Sequence, residues 1–87
     1  MIIVSQDKKT IYNFDNVKSI DVLENEIYIA DDILANEGAR IAEYATEERA
    51  KEVIEDIIDK YEDIQILKYS RESFATRDNF VYRMPKE

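Results

Sequence analysis

Short apolar runs alternate with polar breaks through the first half of the chain, and then the period changes. Residues 2–5 are mostly apolar. Gln6, Asp7, Lys8 and Lys9 interrupt them, and residues 10–14 are again rich in branched and aromatic side chains. Such side chains pack well on a pleated surface, so the two runs predict a strand hairpin. Asp15 and Asn16 mark a break, as turn-forming residues do. Residues 17–23 alternate in part, with Ile20 and Val22 on one side and Ser19 and Asp21 on the other. A turn at residues 24–26 and a strand at 27–30 follow. Residues 31–38 form the longest polar stretch of this half and hold the only glycine, Gly38, where a positive φ is expected. Residues 39–44 predict a further strand.

At Thr46 the period becomes helical. Thr46 suits an N-cap, and Glu47 and Glu48 stand at the positive end of the helix dipole. Arg49 occupies the place of the acid that would complete a capping box. Ala50, Val53, Ile54, Ile57, Ile58 and Tyr61 then recur at helical spacing and predict one buried stripe. The helix is expected to end near Glu62 or Asp63, although Ile64 and Leu67 allow one more turn. Residues 64–69 suit either a strand or that continuation, and residues 70–79 read as a polar loop. Residues 80–84 read as a last strand, stopped by Pro85. The sum is an α+β fold: a mainly antiparallel sheet of four to five strands with one amphipathic helix packed on it, in a single domain of residues 1–87.

Composition narrows the ways such a chain is held together. It has 87 residues with no cysteine and no histidine, so neither a disulfide nor a Cys/His zinc site is available. Stability must come from packing, with oligomerisation as a further source. Hydrophobic residues make up 45% of the chain, enough for a thin core. No run approaches the ~20 apolar residues that span a bilayer. The apolar start lacks a basic flank and is broken at Gln6, so it reads as a strand and not as an export signal. A cytoplasmic protein without membrane contact is the expectation.

Charge changes the picture most. The net charge is −8. Residues 1–46 carry nine acids against four bases, residues 47–63 eight against three, and residues 64–87 three against five. A field this negative repels nucleic acid over the first two thirds of the chain, so direct nucleic-acid binding is not expected. The usual nucleophiles and proton carriers, Cys and His, are missing, and one glycine cannot build a phosphate-binding loop. A domain this small has little room for a deep cleft, so an enzyme is not expected, nor is a cofactor. Asp31, Asp32, Asn36 and Glu37 offer oxygen ligands, but their spacing misses the calcium-loop pattern. They read as a solvated acidic loop, and no metal is expected.

Two features remain for binding. At about 100° per residue, the helix face opposite the apolar stripe carries Glu48, Glu52, Glu55, Asp56, Asp59 and Asp63, all acidic, over about 22 Å. Glu48/Glu52, Glu52/Asp56 and Glu55/Asp59 are like-charged i,i+4 pairs, each costing a few tenths of a kcal/mol. A row of carboxylates so placed either solubilises an acidic protein or imitates a phosphate backbone for a basic partner. The second feature is the tail, where Tyr69, Arg71, Phe74, Arg77, Phe80, Tyr82 and Arg83 interleave rings and cations. These suit single-stranded nucleic acid in a basic protein. Here they read as core rings, with arginines answering the acidic body of this chain or of a second copy.

The opening Met1-Ile2-Ile3-Val4-Ser5-Gln6-Asp7-Lys8-Lys9-Thr10-Ile11, with Asn13-Phe14 after it, resembles a group of short proteins of Gram-positive bacteria that occur often in prophages. The likeness continues through residues 44–53 and ends at Val81-Tyr82-Arg83-Met84-Pro85. It implies a phage or mobile-element setting and carries no activity or functional residue with it. Small acidic prophage proteins include inhibitors of host defence, among them anti-CRISPR proteins that mimic DNA; the analogy rests on size, charge and setting. The expected function is therefore a non-enzymatic protein-binding module, with a basic, nucleic-acid-binding partner as its sharpest form. The alternative is a self-assembling structural or scaffold protein, a homo-oligomer without nucleic-acid mimicry.

Overall fold

The computed structural model describes residues 1–31, 38–69 and 81–87, and the side chains of residues 1–30, 38–64 and 81–87. Six strands and one helix follow in the order β1 (Ile2–Val4), β2 (Ile11–Asn13), β3 (Val17–Leu23), β4 (Glu26–Asp31), β5 (Ala39–Glu43), α1 (Glu47–Tyr69) and β6 (Val81–Arg83). The fold is α+β, as the pattern of periods implies. The strands form two three-stranded sheets, ordered β2-β1-β6 and β3-β4-β5, in place of one sheet of four or five. All pairings are antiparallel except β1 with β6, which runs parallel with Ile3 opposite Tyr82. The division has a local cause. Phe14–Asn16 forms a 3-10 turn in which the Asn13 side chain accepts from the Asp15 N–H, so β2 ends three residues before β3 begins and the ladder cannot run through.

The first hairpin is closed by side chains. Ser5 Oγ donates to Asp7 and accepts from the Thr10 N–H, while Asp7 accepts from the Lys9 N–H. These donors hold the Asp7 carboxyl below its ordinary pKa, the Ser5 hydroxyl acting most strongly. Positive φ occurs at Lys8 (64°) and Glu24 (57°), in the turns of the β1-β2 and β3-β4 hairpins, and not at Gly38. Gly38 instead lies close against β4. A Cβ there would stand 3.4 Å from the Ile29 carbonyl oxygen and 3.5 Å from Tyr28 Cβ, ordinary van der Waals distances, so neither torsion nor crowding demands glycine at this position.

Each sheet turns one face inward. Ile3, Ile27, Ile29, Ile41 and Ala42 come from the strands and meet Ala50, Val53, Ile57 and Ile64 of α1, with Met1, Tyr44 and Met84 closing the cluster. The register of β4 with β5 slips between Ile27 and Tyr28. Ile41 and its neighbour Ala42 are both buried there. Thr46 caps α1, its Oγ1 accepting from the Arg49 N–H at 3.1 Å. The helix runs past Glu62 and Asp63 to Tyr69, so residues 64–69 are the helical continuation and not a strand. Ile64, 1% exposed, continues the buried row one heptad beyond Ile57, and its burial favours the added length.

The stripe is not buried across its width. Ala50, Val53 and Ile57 are sealed, Ile54 is half-buried, and Ile58 and Tyr61 remain 43% and 37% exposed. The flank of α1 that carries Ile54, Ile58 and Tyr61 stands beside β3 and is left half-open among the described residues. The polar stretch at residues 32–37 and the reading of residues 70–79 as a loop lie outside the described residues, as do Arg71, Phe74, Arg77 and Phe80 of the tail and the side chain of Tyr69.

The two sheets are joined at Gln6. Its backbone N–H donates to the Ile41 carbonyl at 2.9 Å. Its side-chain amide pairs with Glu43 twice, accepting from the Glu43 N–H at 2.8 Å and donating to the Glu43 carbonyl at 2.9 Å. The same Nε2 reaches the carbonyls of Lys86 (2.9 Å) and Pro85 (3.3 Å).

Two stability predictions follow from this packing. Val53→Asp, at a fully buried position, is expected to cost roughly 4 kcal/mol or more and to abolish the cooperative melt. Ile58→Asp is expected to stay within about 1 kcal/mol of the parent. Circular dichroism on heating reads both, and equal losses would mean that the helix is rotated differently. Gln6→Ala removes the side-chain bonds of the junction and leaves the backbone bond to Ile41, and it is expected to cost about 1–3 kcal/mol by urea denaturation. Gln6→Glu is expected to cost more, because a carboxylate would then face carbonyl oxygens in place of the donating amide.

Candidate functional site

The outer face of α1 presents every acidic residue expected there. Glu48, Glu52, Glu55, Asp56, Asp59 and Asp63 are all exposed. Helical rotation brings them to one side because the opposite side is fixed against β3, β4 and the rest of the core by Val53, Ile57 and Ile64. The bases between them are partly engaged. Lys51 pairs with Glu47 at 3.4 Å, and Arg49 pairs with Glu52 at 3.1 Å. Among the described residues, Glu48, Glu55, Asp56, Asp59 and Asp63 have no ion-pair partner. The structure brings these carboxylates together as a surface and not as a cleft. No cluster of acids among the described residues has metal-binding geometry.

The face is not uniform in its surroundings. On one flank, Glu48, Glu52 and Glu55 line a groove of about 490 Å³ with Val22 of β3, Lys51 and Ile54. On the other flank, Asp56 lies near the ring of Tyr82 on β6. Burial pushes the Tyr82 hydroxyl up to about 12, and the Asp56 carboxylate adds to the shift. Tyr44 is likewise pushed up to about 12 by burial, with the Arg49 cation acting against it. Arg49 sits over the Tyr44 ring at 5.8 Å from its centroid. It also donates to the Glu87 carbonyl, and the Tyr44 hydroxyl donates to the Pro85 carbonyl. Arg49 stands where a capping-box acid would, and its position has a use: it ties the first turn of α1 to Glu87.

A second surface was not anticipated from the sequence. Between β3 and the open flank of α1 runs an apolar groove of about 620 Å³, lined by Phe14, Val17, Ile20, Ile54, Ile57, Ile58 and Tyr61, with Lys18, Ser19 and Glu62 at its rim. Phe14 and Tyr61 stack obliquely across it, ring centroids 5.3 Å apart. The available signal was the width of the helical stripe. An apolar arc reaching Ile58 is wider than one three-stranded sheet covers.

The outer face of the β3-β4-β5 sheet is polar. The Tyr28 hydroxyl donates to Glu26, and Arg40 bridges Glu26 (3.9 Å) and Glu43 (3.2 Å). The bond to Glu26 raises the Tyr28 hydroxyl above its ordinary pKa. No helix among the described residues is long and apolar enough to cross a membrane. Comparison with protein-family models, with curated proteins and with solved structures finds no match for this chain.

The tyrosine shifts have a measurable sign. Both pKa values are raised on folding, from 10.0 to about 12, so the folded state holds these protons more tightly than the unfolded chain. The stability they contribute is complete below pH 10 and is lost as pH rises from about 10 to about 12. Alkaline titration followed by tyrosinate absorbance is expected to show Tyr44 and Tyr82 ionising last, together with unfolding in that window. Ionisation of all six tyrosines near pH 10 with the fold intact would contradict the burial described.

Proposed function

We propose that this chain is a small non-enzymatic protein-binding module whose acidic α1 face engages a basic, nucleic-acid-binding protein in place of its nucleic acid. The observation that carries the reading is the row of exposed carboxylates at Glu48, Glu55, Asp56, Asp59 and Asp63 without ion-pair partners among the described residues. Charge left unbalanced along about 22 Å of a rigid helix costs helix stability through like-charge i,i+4 pairs. It also offers a basic groove the spacing and sign of a phosphate strand. The resemblance to prophage proteins supports a phage or mobile-element setting, and in that setting the partner is a host defence protein that handles nucleic acid. The site of action is then the bacterial cytoplasm. The groove beside β3 is lined mainly by apolar side chains, which suits contact with another surface better than proton transfer.

Replacing Glu52, Glu55, Asp56 and Asp59 by Gln or Asn keeps shape and removes four charges. The melting temperature is expected to hold or rise slightly, since repulsion is relieved. Affinity for the basic protein captured from a bacterial host lysate is expected to fall at least tenfold. The wild-type complex should weaken as salt screens charge over ~8–10 Å and should compete with the partner's own DNA or RNA. Undiminished binding of the fourfold variant at low salt would show the acidic row to be solvated surface only.

A further inference from the structure

We propose that the groove between Val22 and the first half of α1 seats arginine side chains of the basic partner, with their stems on Val22 and Ile54 and their guanidinium groups at Glu48 and Glu55. The inference rests on the acidic-face reading and narrows it. A purely phosphate-like row accepts any cation along its length, whereas this groove selects one kind at one end. It holds about 490 Å³ and is lined by Val22, Glu48, Lys51, Glu52, Ile54 and Glu55. Val22 and Ile54 are half-buried, and the four charged residues are exposed. The floor is therefore apolar and the rim charged.

The balance of that rim decides what fits. It has three carboxylates and one ammonium, and the Lys51 ammonium is already paired at 3.4 Å with Glu47, which lies outside the lining. Glu52 is paired with Arg49. Glu48 and Glu55 are left without an ion pair among the described residues. They stand about 10 Å apart along the helix axis, at opposite ends of the floor, and so take two guanidinium groups of one segment. An anion is repelled here. An apolar occupant covers the floor but offers the carboxylates no partner. A long cationic side chain answers both, because its methylenes lie on apolar surface while its head stays at the rim. Arginine does so better than lysine. The guanidinium is less strongly hydrated than an ammonium, so it loses less beside Val22 and Ile54, and it meets a carboxylate through two parallel N–H donors. Asp56 and Asp59 carry charge but do not line the groove, so they attract a cation without selecting its stem.

Two acetylated peptide amides, hexa-arginine and hexa-lysine, test this by NMR titration of the full chain at about 20 mM salt, where screening is weak. Hexa-arginine is expected to bind roughly threefold tighter than hexa-lysine and to shift the amides of Val22, Glu48, Ile54 and Glu55 most. Glu48→Gln with Glu55→Gln, both at exposed positions, is expected to weaken hexa-arginine binding roughly fivefold or more. Asp56→Asn with Asp59→Asn removes the same charge outside the groove and is expected to weaken it less than about twofold. Val22→Thr keeps the branched shape and is expected to abolish the preference for arginine while binding of hexa-lysine persists; melting curves of all variants control for folding. Absence of hexa-arginine binding overturns the inference. Equal losses from the two double variants, or a preference for arginine retained by a folded Val22→Thr, overturn it as well and leave the acidic face a diffuse charged surface. Failure of the acidic-face reading itself is a separate result, read from the fourfold variant on the captured protein.

Discussion

One residue, Gln6, hydrogen-bonds the two sheets to each other through both its backbone and its side chain. Gln6 follows β1, and its carboxamide meets the backbone of Glu43 as a paired strand residue would, accepting one N–H and donating to one carbonyl. The peptide-like geometry of the side chain lets it extend a ladder where no strand continues. The donor that remains holds residues 85 and 86. Tyr44 and Arg49 bind the same segment from the start of α1. Sheet, sheet, helix and C-terminal segment therefore meet within a few residues of one glutamine. The core beneath is thin, and the strands of the first sheet are three residues each. A junction of hydrogen bonds between such short elements does what a larger hydrophobic interface does in a bigger protein.

Most of the local structure is written in the period of the apolar residues. The strands at 11–13, 17–23, 26–31 and 39–43 lie where branched and aromatic residues alternate with polar ones, and Thr46 begins the helix as its hydroxyl predicts. What the pattern could not carry is the partition of strands between sheets. That depends on a 3-10 turn after β2, on a parallel pairing between residues far apart in the chain, and on Gln6, whose polarity reads as turn until its partners are known. The glycine shows the same limit: its type suggests a positive φ, and the backbone at Gly38 does not have one.

The acidic face was legible for a simple reason. Exposure on a helix follows from rotation alone once the buried side is known, so six carboxylates could be placed by counting. The groove beside β3 was not, because it arises from a mismatch in width between two elements. The apolar arc of α1 extends from Val53 round to Ile58, and the sheet under it stops at β3. The two surfaces sit on neighbouring flanks of one helix, with Ile54 lining both grooves. Charge and apolar exposure are therefore adjacent on this molecule.

The parallel pairing of β1 with β6 also has a consequence in time. Ile3 cannot meet Tyr82 until residue 82 has been synthesised, and closing so long a loop is entropically costly before any contact repays it. The hairpin of β3 and β4, the addition of β5 and the growth of α1 all use contacts close in sequence, so they are available first. A nascent chain paused before residue 81 would carry the β3-β4-β5 sheet and its helix while Ile3 of β1 still lacked its neighbour in the parallel ladder. During that interval the first strand is one more exposed apolar element of the molecule, and its brevity, three residues before Ser5 and Gln6, limits what it can adhere to.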